Sequence, residues 1–224
     1  MFERVHARQP SDEETRNGLA FLRAEATPET VHQSAWSYGF GTIGAEGKVT
    51  FHPAPHATKD AWQGGDQLPD RELGWVTLSA AGGHPGNNQH HAVVRRWTSP
   101  RTGKIQVRVR VSHPSDQGDG IRLRLASAAR GVVHEAVVQH GEHRQTIEID
   151  SIQAGETLDF VIDCREHPSY DSFRCGFEIR FLDGAEPSRW DSEKDFRVSH
   201  PAGLRAWPRY AQILLLTNEF MFVD

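Results

Sequence analysis

From Ile105 to Val111 apolar and polar residues alternate strictly, with Ile105, Val107, Val109 and Val111 set against Gln106, Arg108 and Arg110. Successive side chains of a strand point to opposite faces, so a period of two predicts a strand buried on one side. The same alternation recurs in residues 121–125, 147–149, 158–162 and 177–181. Turn-forming residues separate these runs, at 100–103, 116–120, Gly131, Gly141 and 154–156. The stretch between Trp36 and Trp97 is less regular and rich in aromatics, Gly, Pro and His. It predicts further strands near 36–42, 49–52, 74–80 and 91–97. Short strands at this spacing, with no helical period between them, predict a mainly β fold. The architecture expected is an antiparallel β-sandwich or jelly roll, galactose-binding-like, over residues 33–184.

The period changes to 3.6 at both ends. Ser11-Asp12-Glu13-Glu14 has the form of a capping box, and Leu19 and Leu22 follow at helical spacing with Phe21 beside them, which predicts a helix over 12–24. Tyr210, Ile213, Leu214, Thr217, Phe220 and Met221 form a second stripe, with Pro208 in the first turn, which predicts a helix over 208–221. The β-domain is therefore expected as an insert between helical segments 1–30 and 190–224 that pack together, since domain termini often lie close. A linker rich in Pro, Ser and charge is expected over 183–203.

Charge and motifs narrow the function more than they define it. A net charge of −5 over 224 residues argues against a nucleic-acid binder, which would need a basic excess for phosphate contacts. No apolar run is longer than that at 213–216, which falls far short of the roughly 18 residues a membrane helix needs. Two cysteines, Cys164 and Cys175, exclude a disulfide scaffold and a four-cysteine zinc site. The chain has no G-x-S-x-G, no H-E-x-x-H and no phosphate-cradling glycine loop; GFGTIG at 39–44 lacks the strand-to-helix context of a dinucleotide fingerprint. These readings favour a binding module over an enzyme.

Several strings are familiar together: WSYGFG (36–41), FHPAPHATKDAWQGG (51–65), LGWVTLSAAGGHPG (73–86), VVRRWTSPRTG (93–103), SHPSDQGDGIR (112–122), AGETLDFVIDC (154–164) and DSF (171–173). With FERVHARQPSDEE at one end and RYAQILLLTNEFMFVD at the other, the chain resembles the C-terminal region of planctomycete-type surface cytochrome c proteins, multidomain proteins of unknown function. It departs from that pattern where Arg174-Cys175, in place of an aromatic, follows DSF. The resemblance implies a C-terminal fragment of a longer exported protein, periplasmic or at the cell surface, whose β-insert is built like carbohydrate-binding jelly rolls.

The expected function is accordingly a non-catalytic recognition module for a polysaccharide or other glycan, within a larger cytochrome-associated protein. The alternative is a structural domain that docks the parent's other domains and binds no small ligand. Loop residues Trp62, His84, Asn87, His90 and Tyr170 are the expected glycan contacts, because loops can converge at one end of a sandwich. Trp75 and Trp97, inside strand patterns, are expected in the core. His84, His90 and His91 belong to GGHPGNNQHH, where adjacent His90 and His91 would point to opposite faces of a strand and no acid is near, so a polar turn is the expected reading over a metal cluster. No cofactor is expected, except that Asp119 and Asp171 are candidate ligands for a structural calcium, against their reading as ordinary turn residues. Arg108, Arg110, Arg122 and Arg124 either share one guanidinium face for an anionic glycan or pair with Glu148, Asp159 and Glu178 across strands. Cys164 ends one strand run and Cys175 opens the next. Facing each other in a hairpin, they would close a disulfide compatible with export.

Overall fold

The computed structural model of the chain describes residues 2–26, 34–184, 189–198, 210–211 and 214–215. The chain divides into two compact units, residues 1–33 with 199–224, and residues 34–198.

In the first unit, helix α1 spans Phe2–His6 and α2 spans Asp12–Ala26. The α2 start is the capping box its sequence specifies. The Glu14 N–H donates to Ser11 Oγ at 3.2 Å, and the Ser11 N–H donates to the Glu14 carboxylate at 2.7 Å. Phe21 stacks on Tyr210 with ring centroids 6.0 Å apart, and Gly18 leaves the room that ring needs, because a Cβ there would fall 2.3 Å from the tyrosine oxygen. Residues 210–211 and 214–215 are helical; the rest of the helix expected over 208–221 lies outside the described residues.

The second unit is an antiparallel β-sandwich. One sheet contains Trp36–Ile43 (β1), Val49–Pro53 (β2), Ala92–Thr98 (β7), Ile121–Ser127 (β9), Gly131–Val138 (β10) and Thr157–Asp163 (β12), in the order β10-β9-β12-β7-β1-β2. The other contains His56–Ala57 (β3), Ala61–Gln63 (β4), Thr77–Ser79 (β5), Gly82–His84 (β6), Gly103–His113 (β8), Gly141–Ile152 (β11) and Phe173–Phe181 (β13), in the order β11-β8-β13-β6-β5-β4-β3. Arg189–Asp191 (β14) pairs with the far half of β13, within the stretch expected as linker.

Alternation places the core. Ile105, Val107, Val109 and Val111 of β8 face Leu123, Leu125, Phe160 and Ile162 of the opposite sheet, all buried. Phe160 stacks on Phe177 across the sandwich at 4.1 Å, and Trp97, fully buried, meets Trp190 edge-on at 5.5 Å. Trp190 of β14 packs against the core beside Trp97 and Phe181.

One buried charge organises the end of the sandwich that carries β5 and β6. Arg95 of β7 is 1% exposed and donates to the carbonyls of Ser79 (2.5 Å), Ala80 (3.2 Å), Gly82 (3.3 Å) and Ser192 (3.0 Å). Tyr38 and Phe196 lie under the guanidinium at 6.0 and 5.6 Å. A buried guanidinium needs acceptors, and here the tight β5–β6 turn and the Ser192 carbonyl supply them to both terminal nitrogens, while Nε has no hydrogen-bond partner among the described residues. At the open edge, His134 of β10 and His143 of β11 tie the terminal strands of the two sheets together, with Nε2 atoms 2.9 Å apart.

The cysteine expectation is corrected. Cys164 and Cys175 are both buried free thiols. They were expected to face each other in a hairpin, but Cys164 follows β12 of one sheet and Cys175 lies in β13 of the other, so the chain crosses the sandwich between them.

Candidate functional site

At one end of the sandwich the loop before β5, the end of β6 and the loop between β12 and β13 meet around an open cleft of about 370 Å3. Trp75, His84, Asn87, Pro168, Ser169 and Tyr170 line it. Trp75 is 48% and Tyr170 56% exposed, and among the described residues they are the only exposed Trp, Tyr or Phe side chains. Water-facing aromatic rings gathered in one hollow form a surface that an apolar ring face can cover.

Each wall is held from below. Trp75 follows Gly74, whose φ of +71° lies in the left-handed region, and a Cβ on Gly74 would strike Asn87 Oδ1 at 2.1 Å. Asn87 donates from Nδ2 to the Glu72 carbonyl at 3.0 Å, which ties the loop after β6 to the turn before Trp75. Asp70 caps that turn by accepting the N–H groups of Glu72 and Leu73 at 2.9 and 2.8 Å. Opposite, Tyr170 itself adopts a φ of +72°, a costly conformation for an aromatic residue and one that recurs at binding sites. Its carbonyl accepts the Nε2–H of buried His113 at 2.9 Å.

His84 supplies the polar chemistry. Its Nδ1 lies 2.6 Å from the Pro85 carbonyl, which can only accept, so the hydrogen is on Nδ1 and Nε2 is left as an acceptor. Burial pushes the imidazole below the usual histidine range, partly offset by that bond to Pro85. The ring lies tilted beside Trp75, centroids 6.3 Å apart. A neutral acceptor, an amide and a hydroxyl beside two aromatic faces can bind a polyhydroxylated ring. The lining includes no carboxylate, so the paired acids of glycoside hydrolysis are absent from it.

Of the five expected contacts, the structure brings His84, Asn87 and Tyr170 together. Trp62 sits elsewhere, on β4 rather than in a loop, half-buried against the core and donating its indole N–H to the Arg197 carbonyl at 3.0 Å. His90 lies in a short 3-10 turn, Gln89–His91, capped by Asn88, with its ring 3.4 Å from the Thr42 hydroxyl. Trp75, expected in the core, takes the place of Trp62. A signal for this was present: Trp75 and Val76 are adjacent, only one can face inward, and Val76 joins Leu78 in the core at 2% exposure each.

The arginine faces separate. Arg122 and Arg124 lie on β9 of one sheet and share Asp163 at 3.1 and 2.7 Å, while Arg108 and Arg110 lie on β8 of the other. There Arg110 pairs with Glu193 at 2.9 Å, and Arg108 and Arg189 approach Glu178 at 3.8 and 2.7 Å. They border a trough of about 590 Å3 across that sheet's outer face, walled by ion pairs and without an exposed aromatic. Asp159 pairs instead with Arg96, and Glu148 with Lys104.

No protein-family model and no curated protein matches the chain. Among solved structures it is similar to the C-terminal CBM6 of LamC, a marine laminarinase from Zobellia galactanivorans, at 18% identity and a TM-score of 0.25, over 42% of this chain and 72% of that one. It is also similar to the GH26-CBM35 β-(1,4)-mannanase of Podospora anserina, at 14% identity and a TM-score of 0.24, over 61% of this chain and 27% of that one. Scores this low establish no correspondence of sites. Among the described residues no helix is long and apolar enough to cross a membrane.

Proposed function

We propose that the sandwich is a non-catalytic glycan-recognition module and that the Trp75–Tyr170 cleft is its binding site. The observation that carries this reading is the convergence of the two exposed aromatics on one hollow with His84, Asn87 and Ser169 between them. The apolar faces of a sugar ring stack on the aromatics, while its hydroxyls donate to His84 Nε2 and exchange hydrogen bonds with Asn87 and Ser169. An exposed aromatic cleft favours recognition over a purely structural role for the insert. The setting of the module in a larger exported cytochrome-type protein is proposed from the sequence resemblance alone.

The test is calorimetry and affinity electrophoresis of the full chain against neutral β-glucans, mannans, uronate polysaccharides and sulfated polysaccharides. Saturable binding to at least one neutral polysaccharide, competed by its oligosaccharides, is the expected result. A folded protein that binds none of the four classes overturns the proposal.

A further inference from the structure

Next to Tyr170 in the chain is a buried carboxylate that accepts no hydrogen bond among the described residues. Asp171 is 0% exposed, and neither of its carboxylate oxygens has a hydrogen-bond partner among the described residues. Asp119, in the loop between β8 and β9, also has one oxygen, Oδ1, that is buried without a partner. Its other oxygen accepts the Glu166 N–H at 3.1 Å. The two loops press together here: Gly118 has a φ of +82°, and a Cβ on it would lie 2.6 Å from the Ser169 carbonyl and 3.8 Å from Asp171 Oδ1.

The neighbours do not solve the problem. Asp163 is already satisfied by Arg122, Arg124 and the Arg165 N–H. His113 Nε2 is 3.7 Å from Asp171 Oδ1, but its hydrogen goes to the Tyr170 carbonyl, and its Nδ1 accepts the His140 N–H at 3.3 Å. Arg165 donates to the Asp119 carbonyl and stays 4.0 Å from the Asp119 carboxylate. An ionised carboxylate buried without partners is strongly unfavourable, so either a proton or a cation must complete this site.

We propose that Asp119 and Asp171 hold a hard divalent cation of the calcium class. The three unpartnered atoms are all carboxylate oxygens, the donor type such an ion takes. Among the described residues no three His, Cys, Asp or Glu side chains could hold a metal as a group, so the remaining ligands are backbone carbonyls and water. Calcium accepts those ligands readily, whereas a structural zinc site requires four nitrogen or sulfur side chains. The ion would staple the loop of residues 164–172 to that of 114–120, and thereby fix the left-handed Tyr170 that forms one wall of the cleft. This last consequence, and it alone, rests on the glycan-binding reading.

The experiment uses the full chain stripped with EDTA and then titrated with calcium chloride, followed by thermal unfolding and calorimetry, with magnesium as the comparison and no glycan present. The expected result is one calcium site and a Tm rise of about 5 °C at a calcium concentration roughly 100-fold above Kd. The rise should be absent from Asp171→Asn and from Asp119→Asn. A wild-type Tm unmoved by about 10 mM calcium, well above the weak end of known sites, overturns the proposal and assigns Asp171 a proton instead. A calcium response retained in both variants overturns it as well, since the ion then binds elsewhere. Because these readouts need no sugar, calcium binding without glycan binding refutes only the function proposed above, and glycan binding unchanged by EDTA with no calcium response refutes only the cation.

Discussion

Replacing Trp75 with alanine is the sharpest test of the cleft. A large aromatic buries ~150–250 Å2 when fully covered, and Trp75 is 48% exposed, so about 100 Å2 of it is free for a ligand. A sugar ring that covers between half and all of that area, at ~25 cal/mol per Å2, makes the loss on truncation between about 1 and 2.5 kcal/mol. Affinity for the polysaccharide that the wild type binds should therefore fall roughly 5- to 70-fold. Calorimetry on Trp75→Ala, Tyr170→Ala and Arg144→Gln reads the effect, with Arg144 placed on the trough of the other sheet. Near-ultraviolet circular dichroism and Tm show whether each variant keeps its fold. Trp75→Ala should unfold only slightly earlier than the wild type, because half of its surface never leaves water. A folded Trp75→Ala that binds within about twofold of the wild type would refute the stacking argument, since uncertainty in the area coefficient cannot absorb so small a change. Loss of binding in Arg144→Gln with retention in Trp75→Ala would move the site to the trough.

Other outcomes follow from the supports around the cleft. Arg95→Met removes the donors shared by four carbonyls and should destabilise the sandwich by about 3 kcal/mol or more, read as a fall in denaturant midpoint at unchanged m; a loss below about 1 kcal/mol would show that water replaces the guanidinium. Gly74→Ala meets both a left-handed backbone and Asn87 at 2.1 Å; it should lower stability by at least about 1 kcal/mol and weaken glycan binding, and a neutral effect on both would dismiss the Gly74–Asn87 contact as a support. The His134–His143 contact makes stability depend on pH. Burial, and then the charge of His143, lower the His134 pKa in the folded state. The unfolded chain then binds the proton more tightly, so this contribution is complete above the unfolded value of about 6.5 and is lost as pH falls below it. Wild-type Tm should drop more than that of His134→Gln between about pH 8 and 5.5, and parallel curves would contradict the assignment.

Much of the sandwich was legible because long strands with one wet face write their period into the chain. The strands β8, β9 and β13 are alternating runs that the observed elements extend by a few residues, whereas β12 is buried on both faces and its alternation breaks at Val161. Strand β10 escaped because a register shift between Val132 and His134 breaks its alternation. Strand β14 escaped because three residues carry no period at all. Sheet assignment is not local information, which is why Cys164 and Cys175, close in sequence, end on opposite sheets. Of the cleft, His84, Asn87 and Tyr170 could be chosen as loop residues, whereas Trp75 required attention to parity beside Val76. The orphaned oxygens of Asp119 and Asp171 depend on which loops meet, and a pattern of acids at turns does not contain that.

Asn87 resting on Gly74 has a bearing on how the cleft can change over evolutionary time. The wall formed by residues 72–75 and 84–87 is interlocked: Gly74 admits no side chain, Asn87 is committed to Glu72, and His84 to Pro85. A change of ligand preference is therefore least disruptive through Pro168 and Ser169, which line the opposite wall. Relatives that diverge in the sugar they take should keep Gly74 and Asn87 together and vary at 168 and 169. On the glycan-binding reading, the cleft has one interlocked wall, at Gly74, Asn87 and His84, and one wall at Pro168 and Ser169 where substitution is less constrained.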